Sequence, residues 1–367
     1  MTRRSGHRWL VQALLGGVFC ASAAAASANA DVAAPERPLD VAAPERPLWE
    51  REGRDWPNRN ASEFVEAGGL RWHFQRMGQG PVLLLVHGTG AATHSWHELA
   101  PLLARDFTVI APDLPGHGFT SAPPEERFSL PAMAGLMDQL LTAVDASPAL
   151  AVGHSAGAAI LARMALDGLI APRGLVSLNG ALLWRRGLAF QIFAPIVRAV
   201  VTTDLAAQAF AWRASNRKVV ARTLASTGST LDPDELDWYA RLFRTPGHTG
   251  ATLKMMAQWD LAALERDLPR LARPMVLITA SEDGFIPPEE AHLAEPLIPQ
   301  ARVEVLPGLG HLAHEERPEL VAALIRDAAR SLGVIGTKAA AGPADRYGMP
   351  AKGLVETRNH RAVTSPN

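Results

Sequence analysis

The chain has 367 residues, enough for one large domain with appendages or for two small domains, and its 48% hydrophobic and 20% charged residues exclude disorder throughout. Lys and Arg number 36 against 37 Asp and Glu, a net charge of −1, so there is no general electrostatic reason to expect a nucleic-acid or anionic-membrane partner. The single cysteine, Cys20, cannot form an intramolecular disulfide.

The first 30 residues predict a signal-like leader. Three arginines precede an uncharged apolar stretch from Trp9, and Ala28-Asn29-Ala30 closes it, which is the layout of a secretory signal. The strongest apolar part is short, so we expect a removable signal rather than a transmembrane helix. Residues 31–48 then repeat the nonapeptide Asp-Val-Ala-Ala-Pro-Glu-Arg-Pro-Leu twice and predict an extended linker.

Residues 49–333 alternate apolar runs with helical patterns. The alternation predicts an α/β fold with a mainly parallel central sheet and helices on both faces. Beyond it, residues 334–367 lose apolar periodicity, and we expect a disordered tail. The expected strands are a hairpin of residues 62–66 and 70–75, then 81–86, 107–111, 149–152, 175–178, 275–279 and 302–306. The expected helices are 95–104, 131–144, 156–167, 289–297 and 312–332.

Residues 181–273 interrupt this rhythm. They contain helical patterns at 188–201, 232–243 and 252–268 but no convincing central strand. An insertion at this point would form a helical lid over the carboxyl ends of the strands, where open α/β sheets bind ligands.

A glycine-rich pentapeptide predicts a nucleophile. Gly153-His154-Ser155-Ala156-Gly157 follows a predicted strand and precedes an Ala-rich helix, which is the setting of a sharp turn with Ser155 Oγ at its apex. The helix N-terminus favours the negative charge that develops there. The alternative is that Ser155 only caps the helix.

A second glycine-rich segment, His87-Gly88-Thr89-Gly90, directly follows the strand predicted at 81–86. An oxyanion hole takes one donor from the amide after the nucleophile and another from such an earlier loop. We therefore predict the N–H groups of Ala156 and Thr89 as the donors. The alternative is that Gly88 and Gly90 simply form a tight turn.

A serine needs a base to take its proton and an acid to orient that base. Asp283 follows the strand predicted at 275–279, and His311 lies in a Gly-rich loop after the strand at 302–306, so the two follow Ser155 in a known triad order. Glu282 adjoins Asp283 and could serve in its place. His311 could instead be a capping or core histidine.

The remaining histidines predict no metal site and no cofactor. His94, His97, His117 and His154 are spread over three segments without paired ligand spacing. Asp113, in a Pro-Gly-rich loop, is expected to be structural. Five residues are candidates for an apolar pocket under the lid, although such residues are more often ordinary core: Trp96, Trp184, Met255, Met256 and Trp259.

Taken in order, these motifs resemble those of the α/β hydrolase superfamily over nearly all of residues 49–333. The set is His87-Gly88-Thr89-Gly90, Pro112-Asp113-Leu114-Pro115-Gly116-His117-Gly118, Gly153-His154-Ser155-Ala156-Gly157 and Gly310-His311. The resemblance implies the α/β hydrolase fold with a helical lid and a Ser-His-Asp triad for hydrolysis of ester-type bonds.

Other segments resemble, more narrowly, the BchO family of magnesium chelatase accessory proteins in bacteriochlorophyll synthesis. They are residues 55–58, 64–73, 153–164 and 306–316, with 210–215 and 225–230 in the insertion. The resemblance implies a role near the insertion of Mg²⁺ into protoporphyrin IX, with chelatase subunits and a tetrapyrrole-related ligand or small-molecule ester as partners. No P-loop is present in the sequence, which excludes the ATP-driven chelatase motor.

The same resemblance implies a cytoplasmic, membrane-associated protein. The leader departs from it: either the protein is exported to the periplasm or anchored in a membrane, or translation begins later, near Val32 or Val41. Three functions follow from the sequence. They are a serine hydrolase of pigment synthesis, a non-catalytic tetrapyrrole carrier or chelatase scaffold, and a carboxylesterase or lipase-like hydrolase unrelated to pigment.

Overall fold

The computed structural model describes residues 45–183 and 202–336. The predicted leader, most of the predicted linker and tail, the helix predicted at 188–201 and Trp184 lie outside these residues. Within the two described ranges, no helix is long and apolar enough to cross a membrane.

Eight strands form one sheet in the order β1-β2-β4-β3-β5-β6-β7-β8. β1 and β2 form the predicted hairpin, β2 also pairs antiparallel with β4, and all other neighbours are parallel. The predicted fold class is thus confirmed. The strands are β1 (Ser62–Ala67), β2 (Leu70–Met77), β3 (Val82–Val86), β4 (Thr108–Pro112), β5 (Leu150–His154), β6 (Leu175–Leu178), β7 (Met275–Ala280) and β8 (Ala301–Leu306).

The sheet separates two hydrophobic cores, because successive side chains of a strand point to opposite faces. Leu84 and Val86 of β3 belong to one core, and Leu83 and Leu85 to the other. Helices therefore cover both faces of the sheet, as predicted. The α-helices are α1 (Trp49–Glu52), α2 (Leu99–Leu103), α3 (Leu130–Ala143), α4 (Ala156–Leu166), α5 (Asp204–Ala214), α6 (Arg217–Ala225), α7 (Pro233–Phe243), α8 (Pro246–Gln258), α9 (Leu261–Asp267), α10 (Glu289–Ala294), α11 (Ala313–Glu316) and α12 (Pro318–Ser331).

Two predicted helices are interrupted. The helix expected at 312–332 is divided into α11 and α12 before Pro318, whose ring lacks an N–H and disfavours helical backbone at the preceding residue. The helix expected at 252–268 begins earlier, at Pro246, and breaks before Asp260, whose side chain caps α9 through the Ala263 N–H at 3.0 Å.

Between β6 and β7, the described part of the insertion is helical and contributes α5 to α9. α5 and α6 were not predicted from the sequence. The helix expected at 232–243 is α7, which begins with Pro233 and a capping box between Asp232 and Glu235. The role of the insertion as a lid stays a prediction.

The second copy of the nonapeptide contacts the folded body. Arg46 donates from Nη2 to the carbonyl oxygen of Thr120 at 2.6 Å, and the Gly247 N–H donates to the Glu45 carbonyl at 2.8 Å. These bonds attach the start of the described chain both to a loop after β4 and to the insertion.

Candidate active site

A strained turn joins β5 to α4 at Ser155. This residue has φ 50° and ψ −116°, a conformation that costs a non-glycine residue about 1–3 kcal/mol. A Cβ atom on Gly157 would lie 2.0 Å from the Val86 carbonyl oxygen, and one on Gly153 would lie 2.4 Å from the Ala158 nitrogen. Glycine is therefore required at both positions, because the first turn of α4 packs directly on β3 and on the end of β5.

The loop after β3 lies against this turn. A Cβ atom on Gly88 would lie 3.0 Å from the Ser155 Cβ. His87 holds the loop in place: its Nδ1 pairs with the Gly88 carbonyl at 2.8 Å, and its Nε2 accepts the Leu114 N–H at 2.9 Å. Within the described ranges, no hydrogen-bond acceptor is paired with the N–H of Thr89 or Ala156. The role of these two amides as oxyanion donors stays a prediction.

His311 and Asp283 are hydrogen-bonded. His311 Nδ1 lies 2.7 Å from Asp283 Oδ2, and both side chains are buried. The other oxygen, Oδ1, accepts the N–H groups of Phe285 and Ile286, each at 2.7 Å, which fixes the carboxylate. Glu282 is exposed. The structure therefore brings Asp283, and not Glu282, to His311.

The backbone of His311 is held against the nucleophile turn. Its carbonyl oxygen pairs with His154 Nε2 at 2.9 Å, and the two imidazole rings are 4.7 Å apart between centroids. Asn179, just after β6, donates to the same carbonyl at 2.8 Å and accepts the Ala280 N–H at 2.8 Å. The elements that carry Ser155, His311 and Asp283 thus meet at one end of the sheet.

The insertion also holds these loops. The Thr227 carbonyl accepts the N–H of Gly284 at 3.0 Å and that of His311 at 3.1 Å. Gly228 has φ 83°, and a Cβ atom there would lie 1.9 Å from the Glu282 carbonyl oxygen. A peptide segment of the insertion is therefore packed directly on the loops of the predicted acid and base.

His248, on α8, likewise joins the insertion to two loops, those that follow β3 and β4. Its Nε2 donates to the Gly90 carbonyl at 3.1 Å, and its Nδ1 accepts the Gly118 N–H at 3.1 Å. Burial lowers the pKa of His248 to about 3, so the ring is neutral at pH 7 and can both donate and accept.

A buried polar cluster lies behind the turn. His314 Nε2 pairs with Ser95 Oγ at 2.8 Å, and Glu315 Oε1 accepts hydrogen bonds from Ser95 Oγ and from Tyr239 on α7. Burial raises the pKa of Glu315 to about 8 and lowers that of His314 to about 3. His314 Nε2 lies 3.6 Å from Glu315 Oε1, and burial favours the neutral form of both groups.

Sequence reasoning missed Asn179, Thr227 and His248. The segment around Thr227 carried a family resemblance, but nothing in it indicated contact with His311. Asn179 and His248 stand outside any motif. Their partners are far away in sequence, so no local pattern could identify them.

The four predicted pocket residues that the structure describes do not come together. Trp96 is fully buried in the core on one face of the sheet, and Met255 and Trp259 belong to the core on the other face. Met256 is 55% exposed, and Trp184 lies outside the described residues. These positions do not support a shared pocket wall.

Asp113 has structural partners. It accepts the N–H groups of Thr93 at 2.7 Å and Phe119 at 2.9 Å, and it pairs with His73 Nδ1 at 2.7 Å. Across residues 45–183 and 202–336, no three His, Cys, Asp or Glu side chains are grouped so that they could hold a metal ion.

Comparison with known proteins identifies the class that this fold and site define. Residues 81–318 match the family model described as alpha/beta hydrolase fold. The chain belongs to the α/β hydrolase fold family, which confirms the resemblance inferred from the motifs.

Among individual proteins, the chain is similar to the magnesium-chelatase 30 kDa subunit of Rhodobacter capsulatus. The two are 36% identical over 275 residues, which cover 74% of this chain and 96% of the relative. The chain is also 30% identical to the pyrrolizixenacetamide deacetylase of Xenorhabdus hominickii, over 71% of this chain and 96% of that protein. The narrower resemblance seen in the sequence is thereby confirmed as a similarity.

Solved structures agree on the fold. An α/β hydrolase fold protein from Burkholderia ambifaria matches with a TM-score of 0.61 and 26% identity, over 73% of this chain and 97% of that chain. A thermophilic esterase from Thermogutta terrifontis matches with a TM-score of 0.59 and 23% identity, over 74% of this chain and 98% of that chain.

Proposed function

We propose that this protein is a serine hydrolase acting on ester-type bonds, with Ser155 as nucleophile, His311 as base and Asp283 as orienting acid. The observation that carries the proposal is the 2.7 Å hydrogen bond between His311 Nδ1 and Asp283 Oδ2, beside a strained turn that presents Ser155. A buried carboxylate that orients an imidazole is what an activated serine requires.

In this mechanism Asp283 accepts a hydrogen bond from the Nδ1–H of His311, which orients the ring and leaves Nε2 free to take the proton of Ser155 Oγ. The serine oxygen attacks the ester carbonyl, and the N–H groups of Thr89 and Ala156 stabilise the oxyanion. His311 then returns its proton to the departing alcohol. Water, activated by the same histidine, releases the acid from the acyl-enzyme.

We place this reaction in magnesium tetrapyrrole synthesis, with a tetrapyrrole-related ester as substrate and chelatase subunits as partners. The similarity to a protein named as a subunit of magnesium chelatase supports this role. The similarity to a chelatase subunit also favours a second candidate, a non-catalytic carrier or scaffold that retains the hydrolase shell. Similarity to a named deacetylase supports hydrolysis and, in a third candidate, a reaction unrelated to pigment.

A fluorophosphonate probe tests the chemistry. We expect it to label the native protein, to fail on Ser155→Ala and to label Ser331→Ala, a control at the exposed end of α12. An unlabelled native protein that turns over none of a broad ester panel would contradict catalysis.

Complementation of a deletion strain, with pigments quantified, separates the biological roles. We expect native protein to restore bacteriochlorophyll and Ser155→Ala to fail. Full restoration by Ser155→Ala would favour the scaffold. A deletion strain with unchanged pigments and no accumulated protoporphyrin IX would favour the unrelated hydrolase.

A further inference from the structure

Helix α5 of the insertion buries small apolar side chains and exposes two large ones. Its buried positions are Ala207 and Ala211, whereas Leu205 and Trp212 are each 77% exposed. A surface helix normally turns its large apolar residues toward the core. Here Ala207 and Ala211 face inward and Phe210 is half-buried, whereas Leu205 and Trp212 face solvent.

Close packing fixes this orientation. A Cβ atom built on Gly250 of α8 would lie 3.2 Å from the Ala207 Cβ, so the two helices approach closely through small residues. Rotating α5 to bury Trp212 would force an indole into that contact. Leu205 and Trp212 are seven residues apart, two helical turns, and therefore lie on the same face with exposed Ala209 between them.

Basic residues outnumber acidic ones on α5 and on the helix that follows it. α5 and α6 together carry four basic residues and one acidic residue, Asp204. Arg217 is paired with Asp237 at 2.5 Å. Arg213 and Lys218 are exposed, and in the part of the chain that the structure describes neither has a carboxylate within ion-pair distance.

We propose that α5 docks on an anionic lipid bilayer through the face formed by Leu205, Ala209 and Trp212, with exposed Arg213 and, on the next helix, exposed Lys218 as the cationic side chains. Trp is favoured at the bilayer interface, Leu inserts among acyl chains, and unpaired Arg and Lys bind anionic headgroups. Trp and Arg are common at both kinds of surface, but Lys is depleted from protein–protein interfaces, so Lys218 favours lipid over a protein partner. The attraction is local, because the whole chain has a net charge of −1.

Docking would hold the protein by the same insertion that contacts the candidate active site. Thr227 of this insertion contacts the loops of His311 and Gly284. The docking proposal itself does not depend on catalysis.

Vesicle co-sedimentation of the full-length chain tests the proposal. We expect binding to phosphatidylcholine vesicles that contain phosphatidylglycerol, weak binding without it, and weakening by salt. Leu205→Ser with Trp212→Ser should weaken binding at least about tenfold, since two apolar side chains lose their burial. Arg213→Gln and Lys218→Gln should each weaken it about fivefold. Leu293→Ser, at a position 62% exposed on α10, is the matched control and should bind like the native protein.

A fluorescent label locates the contact. In a Cys20→Ser background, an environment-sensitive dye on an Ala209→Cys variant should shift to the blue on anionic vesicles, and the same dye on Leu293→Cys should not. Vesicle binding that persists undiminished in the Leu205→Ser/Trp212→Ser variant would overturn the proposal. A Leu205→Ser/Trp212→Ser variant that binds vesicles normally but no longer self-associates or binds chelatase subunits would also overturn the proposal.

Discussion

The backbone carbonyl of Thr227 accepts a hydrogen bond from the amide of His311 across 3.1 Å. A residue of the helical insertion thereby holds the backbone of the predicted base. The same oxygen accepts the N–H of Gly284, next to the predicted acid. The insertion is thus part of the framework of the site, and substitutions in it should change the chemistry.

Gly228→Ala should displace the loops of the acid and base. A Cβ atom there would lie 1.9 Å from the backbone oxygen of Glu282, so the two segments must separate. Displacing triad residues by about 1 Å can reduce the rate about 10²-fold. The measurement is kcat/KM on an ester that the native protein cleaves.

Gly168→Ala is the control for backbone strain, because Gly168 has a similar φ of 73° but no atom within 4 Å of a built Cβ. It should lose about 1 kcal/mol of stability and keep its activity. Equal activity of the Gly228→Ala and Gly168→Ala variants would refute the positioning role of this segment.

Asp283→Asn should reduce kcat by about 10³–10⁴-fold with little change in KM. The amide nitrogen that replaces Oδ2 cannot accept a hydrogen bond from the Nδ1–H of His311. The imidazole therefore loses the tautomer with a proton on Nδ1, which is the one that leaves Nε2 free to act as a base. Glu282→Gln is the neighbouring control and should retain activity, since Glu282 is exposed. The reverse result would assign the orienting role to Glu282.

Gly157→Ala should destabilise the fold by more than about 2 kcal/mol, because its Cβ would lie 2.0 Å from the backbone oxygen of Val86. Gly135→Ala, inside α3 with open space around the built Cβ, should instead stabilise the protein by about 0.5–1 kcal/mol. Chemical denaturation measures both. A Gly157→Ala protein as stable as the native one would show that β3 and α4 can move apart.

Glu315→Gln should change the pH dependence of stability. Burial raises the pKa of Glu315 from 4.5 to about 8, so the folded state keeps a proton that the unfolded state loses between those values. This contribution is fully present below pH 4.5 and is lost as the pH rises to about 8. The variant should therefore match the native protein at low pH and be more stable at pH 8, by a few kcal/mol.

Unfolding free energies of both proteins across this pH range provide the test. The difference between the two curves isolates Glu315 from other titrating groups, such as Glu235, whose pKa burial raises to about 7. Parallel curves would mean that Glu315 is already ionised in the folded protein.

The sheet could be predicted because its strands are buried on both faces. Val82–Val86 and Leu150–His154 appear in the sequence as continuous apolar runs, and the Gly68-Gly69 pair marks the hairpin turn. The break before Pro318 could also have been expected, since proline disfavours a helical residue before it.

The arrangement around the site could not be predicted to the same degree. Asp283 and Glu282 are adjacent and chemically alike, and only the fold shows that one is buried against His311 while the other is exposed. The contacts of Thr227 with His311 and of His248 with Gly90 join segments more than 80 residues apart. Helix α5 was not predicted because Leu205 and Trp212 face solvent, so the apolar periodicity typical of a surface helix is missing.

The attachment through Arg46 has a genetic consequence. Because the two nonapeptides are identical, loss of either copy by slippage yields one and the same shorter polypeptide, in which Pro-Glu-Arg-Pro-Leu still precedes Trp49. The guanidinium contact to Thr120 would survive such a contraction. Natural variants that differ only in the number of these units should therefore keep the same hydrogen bond between the last nonapeptide and the folded body.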